Sequence, residues 1–137
     1  MVVLFLATSS MSAVQVKNLS LEEHIQQVIG ANPEDCGTVL VGPVPDSRLQ
    51  QALECARDAA RRNQAFRIVQ HLQGTDSEVA VGLLVGRDGS TLFFDYDSAP
   101  CGGPGCSERF LTRSCPLSAA KTEADSSQQY WRISCDR

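Results

Sequence analysis

Clusters of basic residues are scarce in this sequence. The 137 residues include twelve Lys and Arg against sixteen Asp and Glu, and Arg61 and Arg62 form the one adjacent basic pair. The formal net charge is −4 and the isoelectric point is about 5.1. Domains that bind nucleic acids or anionic membranes concentrate Lys and Arg on one surface. The composition therefore predicts a protein that binds neither nucleic acid nor anionic lipid.

Long apolar runs are also lacking. The apolar run at the start of the chain, residues 2–7, is far shorter than the span of about 20 residues that crosses a bilayer. Residues 1–13, MVVLFLATSSMSA, have an apolar run followed by small residues, as in the later part of a secretory signal peptide. We expect residues 1–13 to be a signal-peptide remnant, 18–137 to form a single domain, and the chain to have no stable membrane span.

Familiar catalytic motifs are missing as well. No Gly-x-Ser-x-Gly nucleophile elbow occurs, and the stretch DYDS is not followed by the rest of a calcium-binding loop. No glycine-rich loop stands at a strand-to-helix turn, where it would bind phosphate. These absences predict a non-enzymatic protein without cofactors and without assigned catalytic residues.

Six cysteines, in contrast, are many for this length. An even number predicts three disulfides, for which fifteen connectivities exist. Cys101 and Cys106 enclose Gly-Gly-Pro-Gly, which allows a sharp reversal of the chain, so we favour a disulfide-closed loop. Free thiols and a zinc site are the alternatives, and zinc would have only two histidines in the chain to complete its ligands.

The other four cysteines allow more than one pairing. We favour Cys36–Cys55, which would tie the first strand to the long helix, and Cys115–Cys135, which would bracket the polar loop; each closes a loop of about 20 residues. Pairing Cys36 with Cys115 is the alternative. Such a disulfide framework is typical of oxidising compartments, which predicts a secreted or periplasmic protein.

Hydrophobic periodicity predicts two helices. Residues 20–30 begin with Ser20 and Glu23 in capping-box spacing, and residues 46–64 carry an alanine-rich apolar stripe. From residue 66 onward the period changes to two. This alternation predicts strands at 66–73, 77–85, 90–98, 107–115 and 129–135, after a short strand at 37–42, whereas 116–128 is polar and predicts a loop. The fold class is therefore α+β: a mostly antiparallel sheet with one long helix packed on a face and a short N-terminal helix.

The strand register yields candidate site residues. Treating Asp88-Gly89 as a two-residue hairpin turn pairs Val85 with Leu92 and places His71, Asp95 and Asp97 on one face of the sheet. That face, with a dent at Gly82, would be a polar binding surface, the site of an acid–base pair, or simply a sheet face in contact with solvent. The loop residues Gly102, Gly103, Pro104 and Gly105 form a second candidate binding element.

Two resemblances add to this picture. The helix sequence QALECARDAARRNQAF, the GTDS turn, the DG hairpin, the YDS strand end and the closing Cys115 resemble small exported bacterial proteins, often lipoproteins, of uncharacterised function. The loop CGGPGC resembles the disulfide-closed inhibitory loop of periplasmic vertebrate-type lysozyme inhibitors, which carry charged or imidazole groups where this chain has glycine and proline. The second resemblance implies a loop that faces a partner enzyme, but the change to glycine and proline removes the groups that would engage an active site.

The sequence thus leads to two hypotheses. The first is an exported, non-enzymatic binding or inhibitor-like domain, monomeric or weakly dimeric, with a secreted or periplasmic protein as its partner. The second is a small hydrolase or lyase that uses His71 with Asp95 or Asp97.

Overall fold

The computed structural model describes residues 18–30, 32–103, 105–126 and 130–137. The proposed signal segment, 1–13, and Pro104 lie outside the described residues. Within the described part the elements are α1 (Leu21–Val28), β1 (Glu34–Val39), α2 (Asp46–Arg61), β2 (Phe66–Leu72), β3 (Val79–Val85), β4 (Thr91–Asp97), β5 (Arg109–Ser114), β6 (Ala120–Asp125) and β7 (Tyr130–Cys135).

The strands form two sheets. The larger sheet has the order β1-β2-β3-β4-β5, with β1 parallel to β2 and the other neighbours antiparallel. Strands β6 and β7 form a separate antiparallel hairpin. The expected α+β class with mostly antiparallel sheets and two helices is therefore confirmed.

Two expectations about the last third of the chain are wrong. The segment predicted to be a loop contains β6, and β7 pairs with β6 instead of extending the larger sheet. The periodicity of β6 is weak because its inward residues, Ala120 and Thr122, are small or polar. They face α2, where the Thr122 hydroxyl donates a hydrogen bond of 2.5 Å to Asp46 Oδ1.

The helices pack on opposite faces of the larger sheet. Leu49, Leu53 and Ala56 of α2 belong to one buried cluster with Phe66, Ile68 and Leu83, and this cluster continues to Ile133 of β7. Leu21 and Ile25 of α1 belong to a second cluster on the other face, together with Val69, Leu84, Phe94 and Tyr96. Ser20 begins α1 with the expected capping box, in which its hydroxyl accepts from Glu23 N–H.

The predicted β3–β4 register is wrong by one residue. Leu84 pairs with Leu92 and Leu83 with Phe93, because three residues, not two, connect the paired Gly86 and Ser90. Gly89 occupies the left-handed position of this loop, with φ of 81°, which is the usual geometry of a three-residue hairpin loop. Successive strand residues point to opposite faces, so the shift moves every β4 side chain to the other face from the one expected.

Gly82 is tightly covered in this register. It pairs with Phe94, and a Cβ atom added at Gly82 would collide with the Ile68 carbonyl and lie 2.6 Å from Phe94 Cε1. The dent expected at Gly82 is therefore filled by the Phe94 ring. Glycine is needed here so that β2 and the aromatic ring can approach closely.

Gln70 joins the hairpin to the larger sheet. Its side chain is 1% exposed, and its Nε2 donates to the Trp131 carbonyl at 2.9 Å while its Oε1 accepts from Ile133 N–H at 2.9 Å. Both partner groups lie on the outer edge of β7. The hairpin therefore has its β7 edge toward the larger sheet, one face toward α2 and the other face toward an open groove.

The three disulfides are those that the sequence favours. They are Cys36–Cys55, Cys101–Cys106 and Cys115–Cys135. The first ties β1 to α2. The third ties the end of β5 to the end of β7 and so connects the two sheets.

Candidate functional site: a basic groove between the two sheets

An open groove of about 700 Å³ lies between β4–β5 and the β6–β7 hairpin. Five of the twelve basic side chains line it, but only three of the sixteen acidic ones. The basic residues are Arg109, Arg113, Lys121, Arg132 and Arg137, and the acidic residues are Asp95, Glu123 and Asp136. An acidic protein thus carries a locally basic groove.

Alternation along the strands produces this lining. On β5 the side chains of Arg109, Leu111 and Arg113 share the face opposite α1, beside Phe93 and Asp95 of β4. On the hairpin, Lys121 pairs with Ser134 and Glu123 with Arg132, so these four side chains share the groove face. The opposite hairpin face packs against α2. The groove therefore has an apolar strip on its floor and charged residues on both walls.

Most of the basic groups in the groove have carboxylate partners. Arg109 Nη2 lies 3.3 Å from Asp95 Oδ1, and Arg132 Nε lies 3.2 Å from Glu123 Oε1. Lys121 pairs with Asp136, and the pKa of Lys121 is raised because that carboxylate accepts its hydrogen bond. These pairs are solvent-exposed, so each contributes little stability.

Arg113 differs from these residues. Among the described residues no carboxylate lies within 4.0 Å of its guanidinium, although the side chain is exposed in the groove. The guanidinium carbon lies 4.9 Å from the Phe93 ring centroid, and Nη2 donates to the Cys135 carbonyl at 3.1 Å. These contacts hold the cation in place and leave its other N–H groups for an incoming acceptor.

Ser134 is a second unsatisfied group at this site. Its residue is 9% exposed and lines the groove wall, and its hydroxyl has no hydrogen-bond partner among the described residues. Buried hydroxyl groups are nearly always hydrogen-bonded. The Ser134 hydroxyl on the hairpin wall and the Arg113 guanidinium on the β5 wall therefore both offer hydrogen-bonding groups to the groove.

The structure does not bring together the residues predicted as a polar site. His71 pairs with Ala80, which pairs with Tyr96, whereas Asp95 pairs with Val81 and Asp97 with Val79. His71 therefore lies on the α1 face, with Nδ1 3.7 Å from Glu78 Oε1, and the two aspartates lie on the opposite face. The corrected register does not bring His71 together with Asp95 or Asp97, but Asp95 does line the groove.

The loop at 101–106 connects β4 to β5 at the end of the groove where Asp95 and Arg109 pair. Gly102 and Gly105 have φ of 78° and 80°, a conformation that favours glycine, and both are exposed. Gly103 is partly exposed, and its carbonyl accepts from Cys106 N–H at 3.3 Å. The loop presents backbone rather than charged side chains, so it would contribute to binding through its shape rather than through charge.

Two other clusters of polar groups have structural roles. His24 stacks on Phe110 with ring centroids 4.7 Å apart and lies 3.4 Å from Glu108, whose pKa is lowered chiefly by the Leu19 N–H bond. This cluster fastens α1 to β5. Glu34, Cys36 and Cys55 also lie close together, but both sulfurs are joined in a disulfide and are not thiolate ligands.

Sequence reasoning missed the basic groove. The alternation of Arg109, Leu111 and Arg113 within a correctly expected strand was an available signal for one basic strand face. The second wall could not be found in this way, because Lys121 lies in a segment predicted to be a loop. The two sheets are joined by long-range contacts, among them the Gln70 hydrogen bonds, the bond from Arg113 to the Cys135 carbonyl and the Cys115–Cys135 disulfide.

Comparisons with known proteins add no assignment. No protein-family model, curated protein or solved structure matches the chain. In the described part of the chain, no helix has the length and apolar character needed to cross a membrane. The three intramolecular disulfides are typical of an oxidising environment.

Proposed function

We propose that this protein is a non-enzymatic binding domain, secreted or periplasmic, whose groove binds an acidic segment of a partner protein. Arg113 is the observation that carries the proposal: an exposed guanidinium, ordered by an aromatic ring and a carbonyl, without a carboxylate partner in the described structure. A guanidinium recognises a carboxylate through two parallel N–H donors.

The surroundings of Arg113 support an acidic protein segment over a polyphosphate chain. Asp95, Glu123 and Asp136 line the same groove and would repel a continuous row of phosphates. Leu111 is 58% exposed on the groove floor and offers an apolar contact between the two arginines of β5. A ligand with separated carboxylates and an apolar side chain between them fits this pattern.

The disulfides support an exported location, and the separation of His71 from Asp95 and Asp97 supports a binding role over catalysis. Inhibition of a secreted enzyme is one form that such binding would take. In that form the glycine-rich 101–106 loop, next to the groove, would contact the same partner. The resemblance of the chain to small exported bacterial proteins and of this loop to lysozyme inhibitors is consistent with this role.

Isothermal titration calorimetry tests the proposal. The probe is the capped peptide acetyl-Thr-Glu-Thr-Leu-Thr-Glu-Thr-amide, and its Gln and Lys counterparts are the neutral and basic controls. We expect the acidic peptide alone to bind, and Arg113→Gln to weaken it about tenfold or more, because a hydrogen bond to a charged group contributes about 1.5–3 kcal/mol.

Arg48→Gln is the matched control variant. It removes the same charge from an exposed position on α2, outside the groove. Equal weakening by Arg113→Gln and Arg48→Gln would show that only net charge matters. Equal binding of the acidic and basic peptides, or of neither, would overturn the proposal.

A further inference from the structure

Strand β5 is the outer strand of the larger sheet next to the groove. It is last in the strand order, and of its six residues five are exposed and Phe110 is partly buried. An outer strand has a row of backbone groups that no neighbouring strand satisfies, and such a row can pair with an added chain. Edge pairing of this kind is a common way to bind an extended peptide.

The register identifies the backbone groups on the free edge. Cys115 N–H donates to the Thr91 carbonyl at 2.9 Å, so this opposite pair is hydrogen-bonded. Hydrogen-bonded and non-hydrogen-bonded pairs alternate along antiparallel strands. The backbone groups of Arg109, Leu111 and Arg113 therefore bond to β4, whereas those of Phe110, Thr112 and Ser114 point outward.

The side chains and the backbone of β5 would thus contact a ligand in different ways. The residues whose side chains face the groove, Arg109, Leu111 and Arg113, already have their backbone groups bonded within the sheet. The N–H and C=O groups of the residues between them point to the edge, where no strand of the described part of the chain pairs with them. A strand laid along β5 would bond to these groups, and its alternate side chains would reach the groove face beside the two arginines.

We propose that β5 accepts an extended acidic segment of a partner protein as a sixth, antiparallel strand of the larger sheet, with acidic, apolar and acidic side chains opposite Arg113, Leu111 and Arg109. This proposal rests on the proposed function and specifies how the ligand is held. Charge complementarity selects the occupant: a carboxylate opposite Arg113 fills the position that no described carboxylate fills.

A second copy of this chain is a poorer occupant. Antiparallel pairing of two β5 edges centred on Leu111 would place Arg109 of each copy opposite Arg113 of the other. Like charges directly opposite each other on neighbouring strands are destabilising. The basic side chains of β5 thus disfavour self-association and favour an acidic strand.

Backbone methylation of the peptide tests this geometry. In acetyl-Thr-Glu-Thr-Leu-Thr-Glu-Thr-amide, aligned as proposed, the two Thr residues beside Leu direct their N–H groups toward β5, and the Leu N–H points away. We expect N-methylation of those two Thr residues to weaken binding about tenfold or more. N-methylation of Leu is the matched control and should leave the dissociation constant within about twofold.

Amide hydrogen exchange provides an independent readout on the intact protein. With saturating peptide, the amides of Phe110, Thr112 and Ser114 should exchange about fivefold more slowly, because they become hydrogen-bonded, and those of Leu111 and Arg113 should change little.

If the peptide binds and its binding depends on Arg113, but the three edge amides and the two N-methylated forms show no difference, the edge pairing is wrong and the groove proposal stands. If the acidic peptide does not bind at all, both are overturned. If a β5-mediated dimer forms instead, seen as protection of the edge amides that rises with protein concentration without peptide, the edge proposal is also wrong.

Discussion

The Gln70 side chain and the Ile133 backbone are joined by a hydrogen bond of 2.9 Å between Gln70 Oε1 and Ile133 N–H. With the bond from Gln70 Nε2 to the Trp131 carbonyl, it satisfies two groups on the outer edge of β7. This buried amide thereby joins the hairpin to the larger sheet, together with the Cys115–Cys135 disulfide. This connection helps to hold the β6–β7 hairpin next to β4 and β5, and the groove lies between them.

We predict that Gln70→Leu destabilises the protein by about 2–3 kcal/mol. The leucine preserves most of the volume but leaves the Ile133 N–H and the Trp131 carbonyl without partners in a buried position. Urea unfolding measures the change. Gln73→Leu, at an exposed position just after β2, is the control and should change stability by less than about 0.5 kcal/mol. Equal effects of the two substitutions would show that Gln70 does not hold the hairpin.

Gly82 provides a test of how closely β2 and the Phe94 ring approach β3. Gly82→Ala should destabilise the fold by about 3 kcal/mol, because the new methyl group would collide with the Ile68 carbonyl and the Phe94 ring. Gly30→Ala is the control, since a Cβ atom there meets nothing within 4 Å. Thermal unfolding of both variants measures the difference. Tolerance of Gly82→Ala would contradict this close approach of the Ile68 carbonyl and the Phe94 ring to Gly82.

Acid should weaken the contact that holds α1 to β2. Arg67 donates two hydrogen bonds to the Glu22 carboxylate, and this partner, above all, lowers the pKa of Glu22 to about 2. Because the folded pKa lies below the unfolded one, the stabilisation is complete above the unfolded pKa of about 4.5 and is lost as pH falls toward about 2. Glu22 is 55% exposed, so solvent screening keeps the contribution modest.

Glu22→Gln tests this pH dependence. We expect the variant to be less stable than the unsubstituted protein at about pH 6, and the difference to shrink and vanish near about pH 2. Urea unfolding across this pH range measures it. Glu54→Gln, at an exposed position on α2, is the control, and its free energy of unfolding should follow that of the unsubstituted protein across this pH range. A constant difference for Glu22→Gln at all pH values would contradict the assigned ion pair.

The Cys115–Cys135 disulfide should matter for both stability and binding. Replacing both cysteines by alanine should cost about 3 kcal/mol, the chain-entropy value for a loop of this length, and should loosen β7 against β5. The acidic peptide should then bind more weakly. Removing Cys101–Cys106 in the same way is the comparison, since its shorter loop predicts a loss of about 2 kcal/mol and an unchanged groove. Full peptide affinity without Cys115–Cys135 would show that the groove does not need the two sheets to be tied.

Local sequence patterns were sufficient to predict most of the helices and strands. They failed where long-range contacts determine the structure. The apolar stripe of α2 and the alternation in β2 to β5 indicated those elements correctly. The Asp88-Gly89 pair indicated a hairpin but not its loop length, because glycine suits both a two-residue turn and the third position of a three-residue loop. That one-residue ambiguity moved Asp95 and Asp97 to the wrong face.

The candidate site was harder to predict from the sequence than the fold. Arg113 and Lys121 are separated by a disulfide-bonded corner, and their shared groove depends on the buried Gln70, which ordinary polarity patterns assign to a surface. No local signal in β6 marks it as a strand, since its inward residues are alanine and threonine. Only the packed hairpin brings the basic residues together.

Heteronuclear NMR during titration with the acidic peptide tests the location of the binding site most directly. We predict that the amide shifts change along β5, β6 and β7, centred on Arg113, and that these changes disappear in Arg113→Gln but persist in Arg48→Gln. Shifts confined to the 101–106 loop or to the α1 face, or no shifts at any peptide concentration, would contradict a binding groove between the two sheets.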